Sequence, residues 1–419
     1  MPTFPPVPEQ LALLERGVVD LHVRGELEQR LGESRDRGQP LRVKAGFDPT
    51  RPDLHLGHTV LLQKMRQFQD LGHTAVFVVG DFTAMVGDPT GQNESRPRLT
   101  SDEVNRYAET YLAQAYLVLD RERLEVKRNS EWLGRLGPTH IVELMAKHTV
   151  ARMLERKDFA ARFGEGRDIH MHEFLYPLLQ GYDSVHLDND VELGGTDQLF
   201  NLLVGRTLMG RYGLRKQIVM TTPILEGIDA RLENGEIVGK KMSKSADNTI
   251  GIQEAPEAMF RKAMQIGDDV VFRFFELLSR RGNEEIAALK AERAAGRNPM
   301  EIKALFAREI VERFHGVETA DQAARQFERV YQKDEKPESL SGIEVPVTSP
   351  TIPTGPALAL AGFAPSTNAA NAVIKQGGVA INGEIIQDWK HPLKVDEPYE
   401  IRFGSKNRQW KLVTYVLKK

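Results

Sequence analysis

Two short motifs in the chain combine residue types that handle phosphates. The first is His55-Leu56-Gly57-His58, which follows a predicted strand and opens a predicted helix. A helix N-terminus offers free N–H groups and the positive end of a dipole, and both favour phosphate. Gly57 lets a base or ribose approach the backbone closely. The two imidazoles can donate to phosphoryl oxygens that gain charge in a transition state. Exposed turn histidines and a metal-binding pair are the alternatives for so short a motif.

The second motif is Lys241-Met242-Ser243-Lys244-Ser245, in a polar stretch far downstream of the first. Two lysines on a loop can wrap a triphosphate and release it after the reaction. A solvated basic loop is the usual meaning of a short lysine run. A chance match to five specified residues is rare in a chain of this length, so the phosphate interpretation is favoured.

Between the two motifs, three polar residues share one predicted helix face. Tyr176, Gln180 and Asp183 are spaced at i, i+4 and i+7. Such a face can offer donors and a carboxylate to an aromatic amino acid, although an ordinary amphipathic helix with a buried tyrosine has the same spacing. The segment Gly194-Gly195-Thr196-Asp197-Gln198 allows close approach of a nucleotide, while Thr196 or Asp197 could instead cap a helix.

The elements that must position these residues alternate between strand and helix from about residue 41 to 225. Strands are predicted at 41–47, 74–81, 124–129 and 217–225, and helices at 58–72, 101–119 and 196–213. The short apolar run at 74–81 is typical of a buried parallel strand. This alternation predicts an α/β fold with a Rossmann-like, doubly wound parallel sheet.

The rest of the chain changes character. The helical signal dominates over 254–335, and 336–356 is rich in proline, serine and threonine, which favours a linker. The predicted domains are a catalytic domain at 1–225, a loop region at 226–253, an all-helical domain at 254–335, a linker at 336–356 and a small α+β domain at 357–419.

Composition narrows the class of protein. The chain has 419 residues and a net charge of −3, but residues 351–419 carry 9 Lys+Arg against 5 Asp+Glu, which suggests a polyanion partner for that end. The absence of cysteine excludes disulfides, cysteine-ligated zinc, iron–sulfur clusters and a thiol nucleophile. We find no signal-peptide pattern and no apolar run near the ~18 residues that span a membrane. A cytoplasmic location is therefore expected.

The order of the motifs resembles a known enzyme class. HLGH followed by KMSKS resembles the two signatures of class I aminoacyl-tRNA synthetases. The segments GFDPT (46–50), GDPTG (87–91), YPLLQGYD (176–183) and GGTDQ (194–198) resemble the tyrosyl-tRNA synthetase family, and GDFT (80–83) resembles its second bacterial subtype. The resemblance extends from about residue 41 to the C-terminus.

The resemblance implies roles for the residues of an amino-acid pocket. It implies that Asp183 accepts the phenolic hydroxyl of tyrosine and that Gln198 lies near the substrate carboxylate. It also implies that the substrate ammonium group is held by Tyr176, Gln180 and Asp88. An aspartate before proline, as Asp88 is, more often serves in a turn.

It implies an ATP site as well, in which the HLGH and KMSKS motifs take part. Gly57, Gly195 and Asp197 are expected to bind ATP, His55 and His58 the α-phosphate, and Lys241 and Lys244 the departing pyrophosphate. Asp48 and Thr50 are expected to line the amino acid and phosphates. Arg96 is expected to contact pyrophosphate, although a solvated arginine is equally consistent with its polar surroundings.

One position departs from the family pattern. Many members have a tyrosine three residues before the phenylalanine of GFDPT, and that tyrosine also contacts the substrate hydroxyl. Here the position is Lys44. A lysine can donate to the phenol oxygen, or point elsewhere while another group takes over.

The C-terminal stretch 364–386 resembles a small RNA-binding domain shared with a ribosomal small-subunit protein. Asn371 stands where an arginine is usual. The residues expected to bind RNA are Lys375, Arg402, Lys406, Arg408 and Lys411. A helix followed by a hairpin would read RNA shape and phosphates. A generic α+β appendage is the alternative.

Taken together, the resemblance implies a tyrosine–tRNA ligase. Such an enzyme converts L-tyrosine and ATP to tyrosyl-adenylate and pyrophosphate, then transfers tyrosine to the 3′-terminal adenosine of tRNA(Tyr). Mg²⁺ is expected to arrive with ATP, with no metal bound by the protein itself. A homodimer is also expected. The rivals are the same fold acting on tryptophan or on another acceptor, and a non-catalytic RNA-binding protein.

Overall fold

The computed structural model describes residues 4–49, 53–88, 100–332, 340, 342–404 and 409–418. They form two compact units, Met1–Val317 and Glu318–Lys419. The sequence places a boundary at 225/226 and another at 253/254, whereas the structure gathers the sheet, the KMSKS segment and the following helices into the first unit. No helix among the described residues is long and apolar enough to cross a membrane.

The first unit alternates strands and helices as predicted. Its strands are β1 Asp20–His22, β2 Arg42–Phe47, β3 Thr74–Val79, β4 Leu124–Arg128, β5 Val191–Gly195, β6 Ile218–Thr222, β7 Arg231–Glu233 and β8 Glu236–Val238. Its helices are α1 Val7–Leu14, α2 Arg24–Arg37, α3 Leu56–Asp70, α4 Thr83–Val86, α5 Ser101–Ala115, α6 Ser130–Leu133, α7 Pro138–Ala146, α8 Val150–Met153, α9 Lys157–Gly164, α10 Met171–Leu187, α11 Leu199–Arg211, α12 Pro256–Gln265, α13 Val271–Leu278, α14 Asn283–Ala294 and α15 Pro299–His315.

The main sheet has the order β1-β6-β5-β2-β3-β4, and every neighbouring pair is parallel except β1 with β6. The chain proceeds from β2 outward to β3 and β4, then crosses to the other side for β5 and β6. This reversal creates a switch point between β2 and β5, where open α/β sheets bind ligands beyond the carboxyl ends of their strands. The predicted doubly wound parallel sheet is confirmed.

The strands predicted to be apolar contribute buried side chains to the hydrophobic core. All of β3 except its first residue is buried, which matches its continuous apolar run. Val76 and Val78 pack in one cluster with Leu178 and Leu179 of α10. Burial of such side chains stabilises the fold by about 1.5–3 kcal/mol each. The packing also fixes α10 against the sheet.

Helix α10 has a well-defined start and end. The carboxylate of Glu173 accepts from the His170 N–H at 2.8 Å and is held by the Arg162 guanidinium at 2.6 Å. The helix ends at Asp188, which adopts a left-handed conformation. Its buried residues include Tyr176 and Asp183, so the predicted shared face is the face that packs inward.

The described residues from 254 to 332 are mainly helical, as the sequence predicts. Helices α12 to α15 belong to the first unit, and the rings of Phe274 and Phe275 pack edge-on against Phe306 at 5.8 and 5.2 Å between centroids. The helix α16, Val317–Phe327, continues into a π-helix at Glu328–Gln332.

The part of the second unit that the structure describes adds two more helices and two small sheets. The helices are α17 Thr354–Leu360 and α18 Thr367–Lys375, and the strands are β9 Gly342–Val347, β10 Thr351–Pro353, β11 Val379–Ile381, β12 Glu384–Ile385, β13 Pro392–Lys394, β14 Pro398–Phe403 and β15 Gln409–Leu417. The five-stranded sheet has the order β12-β11-β14-β15-β9, and β10 pairs with β13.

The prediction of a linker at 336–356 is wrong. The structure describes residues 340 and 342–356 of this range, and most of them belong to the folded second unit. Strand β9 pairs in parallel with β15, and its Val345 and Val347 are buried in the core of the second unit. Because β9 is an edge strand, Pro346 fits without breaking a central ladder. The proline-rich composition hid an alternating strand pattern.

Candidate active site

The carboxylate of Asp183 lies at the buried end of a polar cluster beside the switch point. The Trp132 indole N–H donates to its Oδ1 at 2.8 Å, and the Asn129 amide donates to its Oδ2 at 3.3 Å. Burial raises the pKa of Asp183 to about 7, while the charge of Lys44 and the two hydrogen bonds act in the opposite direction. The site therefore holds an acceptor whose charge is finely balanced near neutral pH.

A second buried carboxylate, Asp48, directly follows β2. It accepts from the Thr83 hydroxyl and from the Tyr176 hydroxyl, each at 2.8 Å. Asn129 donates to Thr83 at 3.1 Å, which links the surroundings of Asp48 to those of Asp183. Burial raises the pKa of Asp48 to about 7 against those hydrogen bonds, and the charges of Asp88 and Asp183 raise it further. The cluster is acidic and suits a cationic group.

A glycine makes this arrangement possible. A Cβ at Gly80 would lie 2.0 Å from Asp48 Oδ1 and 2.5 Å from Thr83 Oγ1, so no larger residue fits beside the carboxylate. Gly80 directly follows β3 and is the first residue of the segment GDFT. Because it has no side chain, Asp48 and Thr83 can approach each other beside it.

A second polar chain lies on the less buried side of the cluster, which is called its opening here and is formed by half-buried Asp88, Gln180 and Gln198. Gln198 donates to Asp88 at 2.9 Å, and Asn201 donates to Gln198 at 3.1 Å and to Gln180 at 3.1 Å. These contacts bring together the predicted residues Gln180, Asp88 and Gln198. They present amide and carboxylate oxygens, which can accept from an ammonium group.

The HLGH motif forms the start of α3. His55 is the N-cap, and its Nδ1 accepts from the Gly57 N–H at 3.2 Å. The His58 Nδ1 accepts from the His55 N–H at 3.2 Å, and the two ring centroids are 3.9 Å apart. Because each Nδ1 is an acceptor, the neutral rings carry their proton on Nε2, which is the donor needed for a phosphoryl oxygen.

The KMSKS segment packs against that helix start. Met242 is buried, and its backbone N–H donates to Leu225 at 2.9 Å. Its Cβ lies 3.5 Å from where a Cβ on Gly57 would be. Lys244 forms an ion pair with Asp53, two residues before the HLGH motif, and Lys241 is exposed. The structure thus brings the two phosphate motifs together, although about 180 residues separate them in sequence.

The GGTDQ segment ends β5 and turns into a 3₁₀ helix at Thr196–Gln198. A Cβ at Gly195 would lie 2.4 Å from Asp197 Oδ1, so the backbone there passes close to that exposed carboxylate. Gly195 and Asp197 therefore lie at the carboxyl edge of the sheet, as a nucleotide-binding role requires.

Lys44 does not line the opening. Its side chain is fully buried, with Nζ 2.8 Å from Glu192 Oε1 and donating to Ser184 Oγ at 2.8 Å. Of the two possibilities left by the sequence, the structure favours the one in which this lysine points elsewhere.

The predicted RNA-binding residues differ in their surroundings. Lys375 is exposed and Arg402 is half-buried. Lys411 donates to the Ala361 carbonyl at 2.9 Å and lies over the Phe363 ring, so it is committed to packing within its own unit. Four predicted site residues lie outside the described residues, namely Thr50, Arg96, Lys406 and Arg408.

Sequence reasoning missed several residues of the site. Asn129 directly follows β4, as Asp48 follows β2, so the rule that ligands bind at the carboxyl ends of strands could have found it. Trp132, Thr83 and Asn201 carry no such signal. Their contacts with Asp183, Asp48 and Gln180 join segments that are distant in sequence.

Comparison with known proteins identifies the family to which the chain belongs. Residues 36–332 match the family described as tRNA synthetases class I (W and Y), and residues 357–397 match the S4 domain. A tyrosine–tRNA ligase of Burkholderia thailandensis is 49% identical over 398 residues, covering 94% of this chain and 93% of that relative. A tyrosine–tRNA ligase of Geobacter sulfurreducens is 47% identical over 411 residues, covering 98% of this chain and 100% of that relative.

A solved structure extends the likeness to the fold. The tyrosyl-tRNA synthetase from Archaeoglobus fulgidus, complexed with L-tyrosine, has a TM-score of 0.59 at 23% identity and covers 76% of this chain and 100% of its own. The fold and its phosphate motifs define a class I aminoacyl-tRNA synthetase of the tryptophan and tyrosine group. Within that group, the chain belongs to the tyrosine–tRNA ligase family. The family predicted from the sequence is confirmed.

The donors on Asp183 lead to a first prediction. Trp132→Phe keeps the ring but removes its N–H from a buried carboxylate, which costs about 1–3 kcal/mol. We expect the KM for tyrosine to rise roughly five- to hundredfold in pyrophosphate exchange, with a much smaller change in the KM for ATP. Trp389→Phe, in the other unit, is the control. An unchanged KM for tyrosine in Trp132→Phe would contradict the placement of Asp183.

The Lys244–Asp53 ion pair leads to a second prediction. Lys244→Ala removes the cation that we expect to hold the departing pyrophosphate, and it should slow exchange by about 10²-fold. Asp53→Asn frees Lys244 from a competing carboxylate and is expected to lower the KM for ATP, by no more than about fivefold because exposed pairs contribute only ~0–1 kcal/mol. Lys240→Ala is the control for lysine loss in this loop. Equal losses in Lys240→Ala and Lys244→Ala would contradict the assignment.

Proposed function

We propose that the chain recognises L-tyrosine through Asp183, activates it with ATP and transfers it to tRNA(Tyr). The observation that carries this proposal is the buried Asp183 carboxylate, which Trp132 and Asn129 hold beside an acidic, amide-lined opening. A phenol hydroxyl fits the buried acceptor. An ammonium group fits the outer oxygens, with Tyr176 and Asp88 among them.

The first step joins the tyrosine carboxylate to the α-phosphorus of ATP. A new bond forms between a carboxylate oxygen and phosphorus, and the bond to the bridging oxygen of pyrophosphate breaks. The carboxylate is already ionised at neutral pH, so this step needs no general base. The work of the protein is to align the reactants and to neutralise charge on the phosphates.

The two motifs neutralise negative charge on different phosphates of ATP. His55 and His58 donate Nε2–H to the α-phosphate, where negative charge grows as the new bond forms. Lys241 and Lys244 hold the departing pyrophosphate, and Lys244 exchanges Asp53 for phosphate oxygens when ATP binds. Mg²⁺ enters with ATP as part of the substrate and is held mainly by phosphate oxygens.

The second step transfers tyrosine to RNA. A ribose hydroxyl of the tRNA terminal adenosine attacks the tyrosyl carbonyl and loses its proton, and AMP leaves with the electrons of the broken bond between the carbonyl carbon and the phosphate oxygen. The acyl adenylate is reactive enough for positioning to carry the step. The S4-type unit adds contacts to RNA phosphates through its basic residues, and Lys375 is exposed among the predicted RNA-binding residues that the structure describes.

A homodimer in the cytoplasm is the proposed working form. Five large apolar side chains are exposed in the segment between β4 and β5, and we infer that they gather into one patch at the dimer interface, because a contiguous apolar patch marks an interaction site. They are Val142, Met145, Val150, Phe163 and Met171. ATP and tRNA are cytoplasmic substrates, which supports that location.

The decisive assay of function is amino-acid-dependent exchange of pyrophosphate into ATP, run with each of the twenty amino acids. Exchange with tyrosine is expected, since adenylation is reversible and needs no tRNA. Exchange with tryptophan alone would overturn the assignment of Asp183 to a phenol. No exchange from folded protein with Mg²⁺ present would overturn the proposed activation step.

The dimer proposal predicts the effect of a surface charge. Phe163→Asp places a carboxylate on a side chain that is 67% exposed, so the monomer fold should tolerate it while an apolar interface should not. Light scattering after size exclusion is expected to give the dimer mass for the parent chain and the monomer mass for the variant. Val19→Asp, at an exposed position near β1, is the control. A dimer mass for Phe163→Asp would contradict this interface.

A further inference from the structure

Lys44 and Glu192 form a buried ion pair behind the amino-acid pocket. Both side chains are at most 1% exposed, and Nζ lies 2.8 Å from Oε1. Lys44 reaches the pair from the middle of β2, and Glu192 from the neighbouring strand β5. Burying two charges costs several kcal/mol per ion, so a pair of this kind is weak as a source of stability and calls for another explanation.

The hydrogen bonds around the pair hold it in one arrangement. Ser184 accepts from Lys44 at 2.8 Å and donates to Glu192 Oε2 at 3.0 Å. The amide of Gln217 also donates to Glu192 Oε2, and Gln217 in turn accepts from Asn189 at 2.9 Å. Each oxygen of Glu192 therefore has a donor, and the ammonium group is directed at two oxygens of the protein interior.

The pair adjoins the carboxylate that the proposed function assigns to the substrate hydroxyl. Ser184, which bridges the pair, follows Asp183 in α10. The charged groups that shift the pKa of Asp183 are Lys44 and Glu192, both from the sheet. Asp183 in turn raises the pKa of Asp48, after β2, and of Tyr176, on the same helix. Within the part of the chain that the structure describes, Lys44 is the cation among these groups.

We propose that Lys44 is a positioning residue for tyrosine recognition, which fixes the charge on Asp183 from behind the pocket and does not touch the substrate. This inference rests on the proposed function. The Lys44 ammonium group is already held by Ser184 and Glu192 on the side of the sheet, so it is not directed at the substrate. The effect of the lysine on the substrate hydroxyl therefore passes through Asp183.

The charges of the pair have opposite consequences for tyrosine binding. Lys44 favours the ionised form of Asp183, which accepts the phenol hydrogen, whereas Glu192 disfavours it. Removing the cation should therefore move the pH midpoint of tyrosine binding upward, and removing the anion should move it downward. A pair that served packing alone would raise the KM in both variants without moving the midpoint.

The experiment measures the KM for tyrosine in pyrophosphate exchange from pH 6 to 9, with the KM for ATP measured alongside. For the parent chain we expect the KM for tyrosine to rise as pH falls below about 7, where Asp183 takes up a proton. Lys44→Met should move the midpoint up by about 1–3 pH units. Each unit is a tenfold rise in KM at pH values below both midpoints. Glu192→Gln should move the midpoint down.

A double variant guards against misfolding. Lys44→Met leaves Glu192 buried without its cation. The double variant Lys44→Met with Glu192→Gln removes both charges, and its side chains are similar in size and shape to those of the parent chain. The midpoint of the double variant should lie above that of Glu192→Gln alone. Equal midpoints in these two, or shifts of the two single variants in the same direction, would overturn the proposal. Tyrosine-dependent exchange by the parent chain would still uphold the proposed function in that case.

Discussion

Recognition of a phenol by a carboxylate demands that the carboxylate be buried and ionised at once. Burial excludes water, which would compete for the hydrogen bond, but it also opposes the charge. We propose Asp183 for this role, because it is buried while three neighbouring groups favour its ionised form. Trp132 and Asn129 donate to its two oxygens, and Lys44 supplies a positive charge from the sheet. The rest of the site is arranged around this balance.

The fold supplies the partners from separate parts of the chain. The switch point between β2 and β5 brings the ends of those strands beside α10, so that Asp48 and Asp183 share one polar cluster. The phosphate motifs meet next to it, because buried Met242 seats the KMSKS segment against the start of α3. The residues that we propose for amino-acid recognition and for phosphate chemistry thus lie at adjoining parts of one carboxyl edge, as a reaction between the two substrates requires.

The sequence predicts those features that depend on local pattern. The strand and helix alternation, the face of α10 and the phosphate motifs are read directly from spacing, and the structure has these elements. The Lys44–Glu192 pair joins residues 148 positions apart, and Trp132 reaches Asp183 across 51, so no local pattern reveals either contact. The linker prediction fails for a different reason. Pro346 lies on an edge strand, where composition is a poor guide to pairing.

The most direct measurement of the central claim is a crystal structure with a non-hydrolysable analogue of tyrosyl-adenylate bound. The account predicts that the phenol oxygen lies within hydrogen-bonding distance, about 2.5–3.0 Å, of an Asp183 carboxylate oxygen. It also predicts that Lys44 keeps its contacts with Glu192 and Ser184. A phenol oxygen bound directly to the Lys44 ammonium group, or one without any contact to Asp183, would contradict it.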